Sequence, residues 1–260
     1  MIPVSPSTSP AAFHTREYVA PITPVEPRQG DLHRYFVRVF HSTHMDFQSA
    51  FSLMMNLCRS PKTVYQTTEC RKDIKNQWAR DDPAFLVILV GLNILSNIIY
   101  SLSFGVRSFG HFVMIIFYSI VFDFFLVGIL IASIGWSIAN RHFGQSVVRN
   151  DSQMEWQYAF DIHCNAYFPF FLLTNVVQYI FYPILWRENM VSVFLSNFLY
   201  AFAFSYYCYI TFLGYDILQL QHTERCVYPV SVIVIVFAMS FLMGCNPTRF
   251  VVEAYFGRQH

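Results

Sequence analysis

Asp123 makes the sharpest chemical demand in this chain. It is the single charge in the run Phe112 to Ala139, and a carboxylate at mid-membrane costs about 2.5–3.5 kcal/mol on insertion scales, so it must face a bundle interior. Two chemistries fit it: an ion or proton relay, or a hydrogen-bonded carboxyl that fixes helix packing. No other uncharged run supplies a second ionisable partner, which favours packing. Asn93 and Asn97 are four residues apart and share one helical face, where they could meet Asp123 across a helix pair. Asn175, Gln178 and Asn197 are further candidates. Buried amides of this kind join helices by hydrogen bonds or line a solute path, and joining is the commoner use.

Glu155, Trp156, Asp161 and His163 form a second cluster. Asp161 and His163 are two apart and point about 200° away from each other on a helix, so alone they make neither a metal pair nor a catalytic pair. An interfacial helix anchored by Trp156 and Tyr158 is expected instead. A third cluster holds Arg71, Lys72, Lys75, Trp78, Arg80, Asp81 and Asp82, directly before Pro83. Asp before Pro caps a helix start and suits its dipole; the same residues would also form a cytosolic recognition surface. Upstream, Phe47, Phe51, Met54 and Met55 recur at helical spacing after Asp46, which predicts an amphipathic helix. With His33, Arg34 and Arg38 before it, this helix would lie on an anionic leaflet, or it would pack on the bundle or on a partner. Tyr35, Phe36 and Phe40 interleave with those basic residues, which keeps RNA binding open.

No phosphate-binding glycine loop, GxSxG elbow or HExxH is present. The six cysteines lack CxxC or zinc spacing. The expectation is therefore no catalytic residue, no metal, no cofactor, no small-molecule substrate, and no enzyme.

The elements that hold these residues follow from composition. Of 260 residues, 55% are hydrophobic and only 13% charged, about half the charge of a soluble domain. Ten of the 17 Lys/Arg lie before Pro83. Spans need about 20 apolar residues, and five runs qualify: 83–106, 112–139, 166–186, 190–213 and 227–244. The predicted fold is all-α, a polytopic five-helix membrane bundle over 83–244. A Pro/Ser/Thr-rich tail (1–31) without a secretory h-region and an amphipathic, basic cytosolic region (32–82) precede it, and a lumenal tail (245–260) follows. Lys/Arg bias places the N-terminus in the cytosol and the C-terminus in the lumen. The sequon Asn150-Asp151-Ser152 would then stay unglycosylated, and Asn246-Pro247-Thr248 is disqualified by its proline.

Met45-Asp46-Phe47, Ser60-Pro61 with Val64-Tyr65, Arg71-Lys72 with Lys75, and above all the block from Gln77 to Leu86 resemble the uncoordinated-fifty family of Golgi multi-pass proteins. Tyr158 to Asp161, His163, Asn165-Ala166 and Thr211 to Tyr215 fit the same pattern, so the likeness covers about residues 32–245. It implies a five-span Golgi membrane protein, with residence at the inner nuclear membrane also attributed to the family. It also implies vesicle trafficking of assembled receptors, such as nicotinic acetylcholine receptors, to the cell surface. An Arf guanine-nucleotide exchange factor, receptor cargo, the lipid bilayer and RNA are the implied partners, and no family catalytic residues carry over. The leading expectation is a trafficking scaffold or adaptor. The alternatives are a proton-coupled transporter or channel-like bundle centred on Asp123, and an RNA-binding membrane protein.

Overall fold

In lipid, an uncharged apolar run must satisfy its backbone amides within the segment, and a helix does so. The computed structural model describes residues 45–75, 77–143, 154–218 and 228–257. Every regular element among them is helical. The tail 1–31, the basic aromatic segment 32–44, the Asn150 sequon and Cys226 lie outside the described residues.

The helices are α1 (Phe47–Arg59), α2 (Pro61–Lys75), α3 (Ala84–Ser103), α4 (Phe109–Arg141), α5 (Trp156–Leu185), α6 (Met190–Asp216), α7 (Tyr228–Leu242) and α8 (Pro247–Phe256). Four of them, α3 to α6, are long and apolar enough to cross a membrane. A fifth crossing arises only if α7 and α8, bent by 85°, count as one span.

Two boundaries differ from the reading by charge. The third crossing begins at Trp156 rather than Ala166, because Asp161 and His163 find partners inside the bundle and need not stay outside the helix. The residues after Gly244, read as a tail, include α8. Asn246, useless as a sequon, starts that helix: its side chain accepts the Arg249 amide, with Pro247 in the first turn. Gly244 takes φ 72° and lets the Cys245 amide bond back to the Ser240 carbonyl at 2.9 Å, which ends α7 and permits the sharp bend.

α5 is the central helix. α4 and α6 each pack along it, and α7 packs along α6. α7 has no buried residue, as expected for a helix with lipid around most of its surface. α1 lies against α3 and α5, and α2 against α6, so residues 45–75 form a cap on one end of the bundle. Met54, Leu57, Leu89, Ala166 and Ile210 meet there in one core. α4 and α5 each contain a π-helical turn, Ser119–Leu126 and Leu172–Val177. Such turns break the regular i→i−4 ladder and often occur at functional sites.

Candidate functional site

The cap is held by residues 77–82, where almost every polar group has an internal partner. The Arg80 guanidinium lies 3.5 Å from Asp161 Oδ1, donates to Asn165 Oδ1 at 2.9 Å, and sits 4.4 Å above the Phe85 ring. The Arg80 amide donates to Asp161 Oδ2 at 2.8 Å, and the Ala79 amide donates to Glu155 at 3.1 Å. Gln157 closes the contact by donating to the Arg80 carbonyl. Burial raises the Glu155 carboxyl above the usual range, and the Ala79 and Trp78 amides offset part of that rise. Arg71 donates to the Trp78 carbonyl, and the Lys72 ammonium lies 5.6 Å from the Trp78 ring, which in turn packs on Tyr158.

The two acidic residues before Pro83 divide their work. Asp82 accepts the Ala84 amide and the Asp46 amide, both at 2.9 Å, so it caps α3 and ties it to the start of α1. Asp81 pairs with Lys75 at 3.0 Å and accepts from Gln77.

The second site is a cavity of about 580 Å³ among α3, α4, α5, α6 and α8. Both π-helical turns border it, through Ser119 and Asp123 on one side and Thr174 and Asn175 on the other. Asp123 accepts a hydrogen bond from the Tyr255 hydroxyl of α8. α8 reaches that depth because its start is fastened: Thr248 and Ser196 exchange two hydrogen bonds, and Asn246 donates to the Leu185 carbonyl. Arg249 bonds the Trp186 carbonyl and pairs with Glu188 at 3.0 Å. His163 Nδ1 lies 2.8 Å from the Tyr207 hydroxyl, and its ring fills the space over Gly128, where an added methyl would stand 2.5 Å from Nε2.

Several placements depart from the sequence reading. Asn93 and Asn97 do bond each other, but they join α4 through Ser119, and α5 through the Tyr167 hydroxyl, rather than through Asp123. Asp161 and His163 do point to different neighbours, yet both are buried within α5, and no separate interfacial helix exists there. Trp156 donates to Ser133 of α4, and Tyr158 to the Gly214 carbonyl. In α1 the expected single apolar face is two: Met54 is buried with Ala50 and Leu57, while Phe47, Phe51 and Met55 are exposed. Lys72, Trp78 and Arg80 face inward, which leaves Lys75 the most exposed basic residue of that block. Among the described residues no group of three or more His, Cys, Asp or Glu is gathered to hold a metal.

This arrangement assigns an internal role to most of the block from Gln77 to Leu86. The UNC-50 family model matches residues 35–256. The chain belongs to the UNC-50 family. Its relatives include the protein unc-50 homolog of Dictyostelium discoideum, 44% identical over 86% of this chain and 87% of that protein. Protein unc-50 of Caenorhabditis elegans is 38% identical over 87% of this chain and 75% of its own length. The protein GMH1 homolog of Schizosaccharomyces pombe is 36% identical over 85% and 95% respectively. No solved structure matches. The UNC-50 match spans both the cap and α8, so the Asp123–Tyr255 contact lies within the family region.

Tyr255, like Tyr167 and Tyr207, lines the candidate site and is not singled out by the sequence. A signal was available: Asn-Pro as a helix start, followed by Val251, Val252, Tyr255 and Phe256 at helical spacing.

Proposed function

We propose that this UNC-50 family chain is a Golgi multi-pass trafficking adaptor that engages an Arf guanine-nucleotide exchange factor and so supports surface delivery of assembled receptors. The observation that carries this reading is the fastening of α1 and α2 to the bundle through Arg80–Asp161 and Asp82–Asp46. A preorganised surface costs less conformational entropy to bind than a free tail. On its outer side α2 offers Lys62, Asp73, Ile74 and Lys75, with Ile74 84% exposed. An exposed large apolar residue beside mixed charges suits a protein contact, in which the apolar group supplies burial and the charges supply specificity.

The docking surface we propose is therefore narrower than the whole block Arg71 to Asp82. Changing Arg71 or Lys72 would disturb the cap itself. The double change Ile74→Asp with Lys75→Gln gives up only the exposed Lys75–Asp81 pair, worth about 0–1 kcal/mol, and leaves the internal contacts of Arg80 in place. It should abolish co-precipitation of the exchange factor while preserving membrane insertion and Golgi residence. Undiminished co-precipitation would overturn the assignment.

A further inference from the structure

The cavity around Asp123 is unlike the rest of the bundle interior. α4 and α6, its two side walls, pack along α5 rather than along each other. They meet at one end, where the Tyr215 hydroxyl lies so close to Gly135 that any added side chain would force the Tyr215 ring to move. α8 closes the other end through Val252, Tyr255 and Phe256. Between those closures, Val127 on α4 and Phe204 on α6 line the cavity and are still 43% and 39% exposed. The cavity therefore opens sideways, toward the acyl chains that surround a membrane bundle.

Its interior holds one carboxylate among amides, hydroxyls and the His163 ring. Asp123 lies roughly 20 Å along α4 from Phe109 at 1.5 Å per residue, well inside the apolar slab. Its carboxylate has Tyr255 as its hydrogen-bond donor, and no Lys or Arg lines the cavity among the described residues. Gln178, 2% exposed, also lines it; its side chain meets the Tyr100 and Tyr200 hydroxyls, while its Oε1 accepts no hydrogen bond. A buried acceptor without a donor is uncommon and unfavourable. Much of the remaining lining is aromatic, including Tyr100, Tyr167, Phe170 and Tyr200. Aromatic faces attract cations, more strongly where water is excluded. A carboxylate, a free carbonyl acceptor and ring faces together call for a ligand head that donates hydrogen bonds and carries positive charge. The side opening calls for an apolar chain, and the volume falls within the range of small-molecule sites.

We propose that this cavity binds a long-chain primary amine, a sphingoid base in chemical class, with its ammonium on Asp123 and its chain leaving between Val127 and Phe204. The proposal is independent of the exchange-factor reading, because that surface lies on α2.

The test uses the full chain in lipid nanodiscs and a photoactivatable, alkyne-tagged sphingosine, beside a fatty alcohol and a fatty acid carrying the same reactive group. The amine should label α4 and α6 saturably, at least tenfold more than either control. Asp123→Asn should lower that labelling about tenfold. Val127→Trp, which fills the opening without removing the carboxylate, should lower it to the same extent, so loss of fold at Asp123 alone cannot mimic the result. Excess untagged sphingosine should compete, whereas excess ethanolamine should not. Equal labelling by the alcohol, insensitivity to both substitutions, or equal competition by ethanolamine would each overturn the proposal.

Discussion

Arg80 and Asp161 contact each other through two groups at once: the Arg80 amide donates to Asp161 Oδ2 at 2.8 Å while its guanidinium lies 3.5 Å from Oδ1. The side chains are only 12% and 9% exposed. One carboxylate thus holds both the backbone and the charge of a segment 81 residues away, and fixes where the cap sits on α5.

Removing one member of a buried pair leaves the other charged and desolvated, at a cost of about 3–5 kcal/mol. Arg80→Ala should therefore lower the thermal unfolding midpoint of the purified protein and raise amide exchange through residues 77–82. Arg80→Lys should recover only part of the loss, because a single ammonium cannot reproduce the planar fork that also serves Asn165. An Arg80→Ala protein as stable as the parent would show that the contact is not formed.

Glu155 sets a pH dependence. Burial raises its carboxyl above the ordinary value of 4.5, so the folded chain holds this proton more tightly than the unfolded chain. The folded state binds more protons in the interval from 4.5 up to the raised value, and stability contributed by this group must fall as pH rises through it. Unfolding midpoints measured across that interval should decline with pH. Glu155→Gln, which keeps an acceptor for the Ala79 amide, should flatten the decline.

The start of α8 depends on Ser196, which accepts the Thr248 amide and donates to the Thr248 hydroxyl at 2.9 and 2.8 Å. Both residues are fully buried. Ser196→Ala would leave the Thr248 amide without a partner, at about 1–3 kcal/mol. Limited proteolysis should then cut within residues 248–256 faster than in the parent, while α1 and α2 stay as protected as before.

Gly128 and Gly91 give a paired test of helix packing. A methyl on Gly128 would stand 2.5 Å from the His163 ring, whereas nothing lies within 4 Å of one on Gly91. Overpacking costs about 1–3 kcal/mol, while Gly to Ala in an open helical position gains up to about 1 kcal/mol. Gly128→Ala should lower the unfolding midpoint, and Gly91→Ala should leave it unchanged or raise it.

The distribution of charge made most of the helical framework legible in the sequence, since long uncharged runs can only be helices in lipid. It misplaced the start of α5, because hydropathy treats Asp161 and His163 as water-seeking and is blind to Arg80, in the segment before α3, and Tyr207 on α6, which satisfy them. The same blindness made Arg71, Lys72, Trp78 and Arg80 look like a surface. Hydrophobic spacing located α1 correctly, yet one period of apolar residues could not tell Met54, packed on the bundle, from Phe51, which is exposed.

By itself the sequence determined a multi-pass helical protein preceded by a polar N-terminal region, since that follows from how much apolar length each segment has. Only the tertiary structure decided which charges face inward, that α8 folds back, and that Tyr255 meets Asp123 across 132 residues. Span length is a property of one segment, whereas a buried polar group is stable only with a partner, and that partner comes from wherever the other helices bring it.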